Sequence, residues 1–115
     1  MIIENSRPYS KDQLRKLRQE FDVYIKTVID IQKKICSAGA NRHFESEERL
    51  IKSGSSQSDL WGGGLDLETK TINVDSMINI RPSDGNRSNE IQDPQKRQIF
   101  EDLTKHFFKV VFDGS

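Results

Sequence analysis

Val23-Tyr24-Ile25-Lys26-Thr27-Val28-Ile29-Asp30-Ile31-Gln32-Lys33-Lys34-Ile35-Cys36-Ser37-Ala38 is the stretch on which the fold turns. It supports two periods. Leu14, Leu17, Phe21, Tyr24, Val28, Ile31 and Ile35 continue a helical a/d pattern from the preceding segment. Val23, Ile25, Thr27, Ile29 and Ile31 alternate at period two. The residue types favour the second reading. Side chains branched at Cβ are stiff at χ1, and with aromatics they suit a pleated surface better than a helix. We read a strand over 23–32, a turn at Gln32-Lys33-Lys34 and a returning strand over 35–38, although the turn lacks the Gly or Asn that tight hairpins favour.

Upstream, Ser10 and Gln13 stand at capping-box spacing before Leu14 and Leu17, which predicts a short amphipathic helix over 11–20. Downstream, Gly39-Ala40-Asn41 breaks the hairpin. Residues 47–52 can form one or two helical turns, and Gly54 sits where a C-terminal cap belongs. Ser53 to Ser58 reads as a loop. Leu60-Trp61 opens a new extended segment, and Thr69-Lys70 is a plausible turn. Ile72, Val74, Ser76, Ile78 and Ile80 alternate with polar neighbours up to Pro82, which predicts a strand over 72–80 at the centre of the sheet. Asp93-Pro94 is a helix start, with Asp at the cap and Pro in the first turn. Ile99, Leu103, Phe107 and Val110 carry that helix to about 111. The expected architecture is α+β: an antiparallel sheet of about four strands, with an N-terminal and a C-terminal helix on one face.

The chain of 115 residues is read as a single domain, 1–115. Leu, Ile, Val and Phe number 7, 12, 5 and 6, about a quarter of the residues, enough for a folded core. Lys plus Arg equals Asp plus Glu at 18 each. A protein that grips a nucleic-acid backbone shows a basic excess, so nonspecific nucleic-acid binding is disfavoured. A small phosphate ligand needs only two or three donors and stays open. No apolar stretch is long enough to cross a bilayer, and the N-terminus lacks the pattern of a secretory signal. The lone Cys36 cannot form an internal disulfide. Together these predict a cytoplasmic protein away from membranes.

Chemistry is concentrated in Asn79-Ile80-Arg81-Pro82-Ser83-Asp84-Gly85-Asn86-Arg87-Ser88. Two guanidiniums, Arg81 and Arg87, flank a Gly turn with Asn79, Asn86 and Ser88 around it. Guanidinium forks and accessible backbone N–H groups suit a carboxylate or phosphate. The competing reading is a structural clamp, in which Arg81 and Arg87 pair with Asp84, Glu90 or Asp93. His43, Glu45 and Glu47 share a face if their segment is extended, and could then offer an acid/base pair or a metal site; a solvated acidic patch is the plainer reading. Trp61 before Gly62-Gly63-Gly64 is a core tryptophan with close backbone packing, or else a wall beside a flexible lip. No P-loop, GxGxxG, HExxH or GxSxG motif is present, and no cofactor or metal is implied.

The run from Ile78 to Pro94, with Asp59-Leu60-Trp61-Gly62 and the segment from Gly39 to Glu47, resembles a small bacterial and archaeal family catalogued as a domain of unknown function. The resemblance spans roughly residues 23–110. It implies that His43, Glu47, Trp61, Arg81, Asn86 and Arg87 match recurring positions, and it implies no activity. Two positions depart from its pattern: Gly64 stands where members often have Asn, and Lys34 where they tend to have Gly. Three functions remain open: a binding domain for a small anionic ligand held by Arg81 and Arg87, with His43, Trp61 and Glu47 nearby; a homo-oligomeric or partner-binding module using exposed sheet edges; and a small phosphodiesterase in which Glu45 or Glu47 and His43 act as base and acid.

Overall fold

The computed structural model describes residues 1–113. Five strands form one antiparallel sheet in the order β1-β3-β2-β4-β5: β1 is Ile3–Asn5, β2 Tyr24–Asp30, β3 Ile35–Ala38, β4 Leu60–Asp66 and β5 Thr71–Asn73. Helix α1 covers Lys11–Glu20, α2 His43–Lys52, α3 Pro94–Phe107 and α4 Lys109–Phe112. The α+β class expected from the sequence is what the structure shows, with a fifth strand, β1, added at one edge.

The ambiguous stretch resolves as strands. Helix α1 begins with the Ser10–Gln13 capping box and stops at Phe21, so the a/d pattern beyond it is not used. Its place is taken by the β2–β3 hairpin. The missing turn glycine is replaced by two devices. Asp30 Oδ1 accepts the backbone N–H groups of Gln32 at 2.9 Å and Lys33 at 2.7 Å, and Lys34 takes the left-handed conformation at φ 59°. The β4–β5 turn repeats the solution four residues apart: Asp66 Oδ1 accepts from Glu68 and Thr69, and Lys70 sits at φ 58°. An Asx-type turn closes each hairpin without glycine.

The sheet buries both faces. Ile25, Ile29, Cys36, Ala38, Trp61 and Leu65 pack with Leu14 and Leu17 of α1 and Phe100 and Phe107 of α3. Val28 and Leu60 point the other way and pack with Leu50 of α2. The helices are therefore not confined to the one face that the sequence predicts, because α2 covers the second. That helix also starts earlier than expected, at His43 rather than near 47. α3 begins as predicted, with Asp93 Oδ1 accepting from Gln95 and Lys96 and Pro94 in the first turn. It breaks at Phe108, leaving α4 as a separate turn.

The largest correction concerns residues 72–80. They are not a central strand; β2 is central. Only Thr71–Asn73 pairs, at the sheet edge, and Met77–Asn79 form a 3₁₀ turn capped by Ser76 Oγ. Asn79 explains why pairing stops. Its Oδ1 accepts the Gly62 N–H at 2.8 Å and its Nδ2 donates to the Gly62 carbonyl at 2.9 Å. One side-chain amide thus satisfies the edge of β4 as a neighbouring strand would. The alternating Ile78 and Ile80 belong to a chain that turns away from the sheet, and Ile80 is left exposed.

Candidate functional site

The segment from Val74 to Gln92 is irregular, yet fixed from within. Asn79 Nδ2 also lies 3.2 Å from the Val74 carbonyl and 3.0 Å from that of Asn89. Asn86 Nδ2 stands 2.8 Å from the carbonyls of Asn79, Ser88 and Glu90, and its Oδ1 accepts the Gln92 N–H at 2.9 Å. Both amides are buried and engaged with backbone, so Asn79 and Asn86 hold the loop and present no free group to a ligand.

Arg81 turns inward from this loop. Its Cζ stacks 4.2 Å from the centroid of the Trp61 ring, with Lys96 Nζ 5.3 Å from the same ring. Arg81 Nε stands 3.1 Å from Asp84 Oδ2, and Nη1 stands 4.0 Å from Glu47 Oε2 on α2. Burial pulls the guanidinium below its ordinary pKa, while Asp84 and Glu47 push the other way. The cluster of Trp61, Arg81 and Glu47 therefore joins β4, the loop and α2, with the Arg81 guanidinium facing two carboxylates. Arg87 lies outside it: exposed, with its backbone N–H donating to Gln92 Oε1. The two arginines expected to act together point to different environments, one the interior and the other solvent.

His43, Glu45 and Glu47 also diverge. They sit on α2, not on an extended segment, at positions that send each to a different partner. His43 Nε2 lies 2.7 Å from the Gly63 carbonyl, Glu45 accepts the backbone N–H of Arg42 at 2.9 Å, and Glu47 faces Arg81. The Gly63 carbonyl can only accept, so Nε2 carries the proton, and neutral His43 is left with a lone pair on Nδ1. Burial depresses the His43 pKa, Lys26 depresses it further, and the bond to Gly63 opposes both. Among the described residues, no group of three or more His, Cys, Asp or Glu side chains could hold a metal ion. Cys36 is buried, and its thiol is pushed up to about 12, which makes it a poor nucleophile. His106 is exposed, edge-on to Phe107.

The glycines after Trp61 form β4 itself. A Cβ on Gly63 would meet the Asn73 carbonyl and the Phe100 ring, one on Gly62 would meet Ser76, and one on Gly64 would run into the Tyr24 ring. They admit close packing on both faces of the sheet and form no lip.

A cleft of about 510 Å³ opens elsewhere, between the start of α2 and the loop. It is lined by Lys26 of β2 with Arg42, His43 and Phe44 at the start of α2. The loop contributes Asp75, Ser76, Met77 and Ile78, with Asn89. Lys26 projects from the face of β2 that α2 covers, and its Nζ donates to the Asn41 carbonyl at 2.7 Å, leaving two hydrogens free. The partial positive charge of the α2 N-terminus adds to that of Lys26 and Arg42. Of the residues singled out in the sequence, only His43 lies here. Lys26, Arg42, Phe44, Asp75, Met77 and Asn89 carry no short-range signal, because the cleft is assembled from four separate stretches of chain.

Among the described residues, no helix is long and apolar enough to cross a membrane. A family model described as a protein of unknown function, DUF5674, matches residues 1–107. No curated protein and no solved structure matches the chain.

Proposed function

The chain belongs to the DUF5674 family of proteins of unknown function, and we propose that it is a binding domain for a small anionic ligand with an apolar body, seated in the cleft between α2 and the 74–92 loop. The observation that carries the proposal is the cleft's mixed lining. Lys26 and Arg42 supply two positive charges against the single carboxylate of Asp75, and Phe44, Met77 and Ile78 supply apolar surface. Ligand sites commonly join a mostly apolar cavity of roughly 300–1,000 Å³ to a few convergent polar groups. A bare inorganic anion would use the charge and leave the apolar wall wet; a purely apolar ligand would leave two cations facing it unpaired.

This reading keeps the anion and moves the site. Arg81 is ion-paired with Asp84 and Glu47 and packed on Trp61, and its Nε and Nη2 are buried without a hydrogen-bond partner, closed off from the cleft. It serves as a positioning residue that fixes the loop against α2. Arg87 is exposed on the loop that brings Asn89 to the cleft.

A second reading has one observation in its favour. Met77 is 77% exposed and Phe44 48%, so a protein partner could cover the same rim. Thermal melts with phosphate, pyrophosphate and dicarboxylates separate the two. A ligand at about a hundred times its Kd stabilises by about 2.7 kcal/mol, several degrees for a chain of this size. We expect such a rise in the wild type and in Arg87→Ala, and its loss in Lys26→Ala/Arg42→Ala. A rise that survives the double substitution and vanishes in Arg87→Ala returns the site to the loop; no rise with any anion favours the partner-binding module.

A further inference from the structure

We infer that the occupant of this cleft is a mononucleotide-class ligand, a flat amino-bearing heterocycle joined to a phosphate; the inference rests on the anion-binding reading and adds the rest of the molecule to it. Asp75 is the first argument. A carboxylate in the lining opposes a bare anion and suits a ligand that also carries an N–H donor to meet it. Asn89 beside it offers a paired donor and acceptor. An acid and an amide together match the edge of an amino-heterocycle, whose ring presents N–H groups and ring acceptors side by side.

The apolar jaws are the second argument. Phe44, from α2, and Met77, from the 3₁₀ turn, both line the cleft, Phe44 about half exposed and Met77 largely so. An aromatic face and a polarisable thioether are suited to holding a flat ring. Stacking a base on an aromatic side chain strengthens binding by about five- to a hundredfold. The third argument is the acceptor left on His43. With Nε2–H held by Gly63, the Nδ1 lone pair suits a hydroxyl and repels a phosphate. A sugar hydroxyl between ring and phosphate meets that requirement, and Lys26 with Arg42 takes the phosphate. The chain's balanced charge, 18 basic against 18 acidic side chains, argues for one nucleotide and against a strand of many phosphates.

The test is a calorimetric titration of the full chain with inorganic phosphate, the four common nucleoside 5′-monophosphates and the matching nucleosides. Wild type, Phe44→Ala, Asp75→Asn and Lys26→Ala are compared, each first shown to melt like the wild type; Phe44 and Asp75 are exposed, so folding should survive their substitution. We expect at least one nucleotide to bind about tenfold or more tightly than phosphate. Phe44→Ala should remove most of that margin, and Asp75→Asn should alter the order of preference among the bases. If nucleotides bind no better than phosphate while Lys26→Ala abolishes phosphate binding, the nucleotide assignment is overturned and the anion reading stands. If neither phosphate nor any nucleotide binds, and the dicarboxylates of the melting experiment also fail, both readings fall.

Discussion

Asn79 shows how one side chain can decide where a sheet ends. Its amide brackets the Gly62 backbone on both sides, which frees residues 74–80 from pairing and sends them over the face that α2 covers. Without that amide, a buried N–H and C=O of β4 lose their partners, at a cost of about 1–3 kcal/mol each. Asn79→Ala should therefore lower stability by about 3 kcal/mol in urea denaturation. Asn79→Asp should be similarly poor, since a carboxylate can accept from Gly62 but cannot donate to it. A loss below about 1 kcal/mol would remove Asn79 from this role. His43 makes a prediction of opposite character, visible only in acid. Burial holds its folded pKa below the ordinary 6.5. Above that value both folded and unfolded chains carry neutral imidazole, and the residue contributes nothing to pH dependence. Below it the unfolded chain takes up a proton that the folded chain resists, so stability falls with pH until the folded value is reached. His43→Gln should flatten that part of the profile; an unchanged slope just below pH 6.5 would contradict the neutral, Gly63-bound imidazole.

At the scale of elements, two hairpins share one turn. Asp30 with Lys34, and Asp66 with Lys70, place a carboxylate under the turn and a lysine in the left-handed region. That conformation costs a residue with a Cβ about 1–2 kcal/mol, of which glycine's chain entropy returns part. Lys34→Gly and Lys70→Gly should each raise stability by about 0.5–1 kcal/mol in thermal melts, and a decrease would show that the lysine side chains do more than tolerate the turn. β4 makes the opposite demand. Gly63→Ala would press a methyl group against the Asn73 carbonyl and the Phe100 ring, and should cost about 3 kcal/mol. Much of this level was legible beforehand. Ser10 with Gln13, and Asp93 with Pro94, are local signals that specify helix starts through their own chemistry, and both helices begin there. The β-branched run of β2 likewise outweighed the a/d period, since Phe21 ends α1 before that period can be used. The paired Asp and Lys of the turns were present in the sequence, but an Asx turn is easily overlooked where glycine is the familiar marker. Residues 72–80 misled because period-two alternation reports which side chains are apolar and not whether a neighbouring strand is available. Asn79, seventeen residues from Gly62, takes that neighbour's place.

The molecule as a whole puts its cleft where no single motif pointed. The richest run in the sequence, from Asn79 to Arg87, proves to be an internally bonded loop whose buried arginine anchors it to Trp61 and faces Glu47. Its two asparagines were conspicuous because loops of this kind need buried amides, and that same need leaves them little to offer a ligand. The cleft depends on chain positions 26, 42–44, 75–78 and 89, which meet only after α2 has packed on the sheet and the loop has folded back beside it. Contacts so distant in sequence leave no spacing to read. The central claim is that this cleft, and not the arginine loop, is the binding site. The most direct measurement is residue-resolved amide chemical-shift mapping of the isotope-labelled full chain during titration with phosphate and with a nucleoside monophosphate. The account predicts saturable shifts centred on Lys26, Arg42 to Phe44, Asp75 to Ile78 and Asn89, with little change at Arg81 and Arg87. Shifts centred on Pro82 to Arg87, with the α2 N-terminus unmoved, would contradict it.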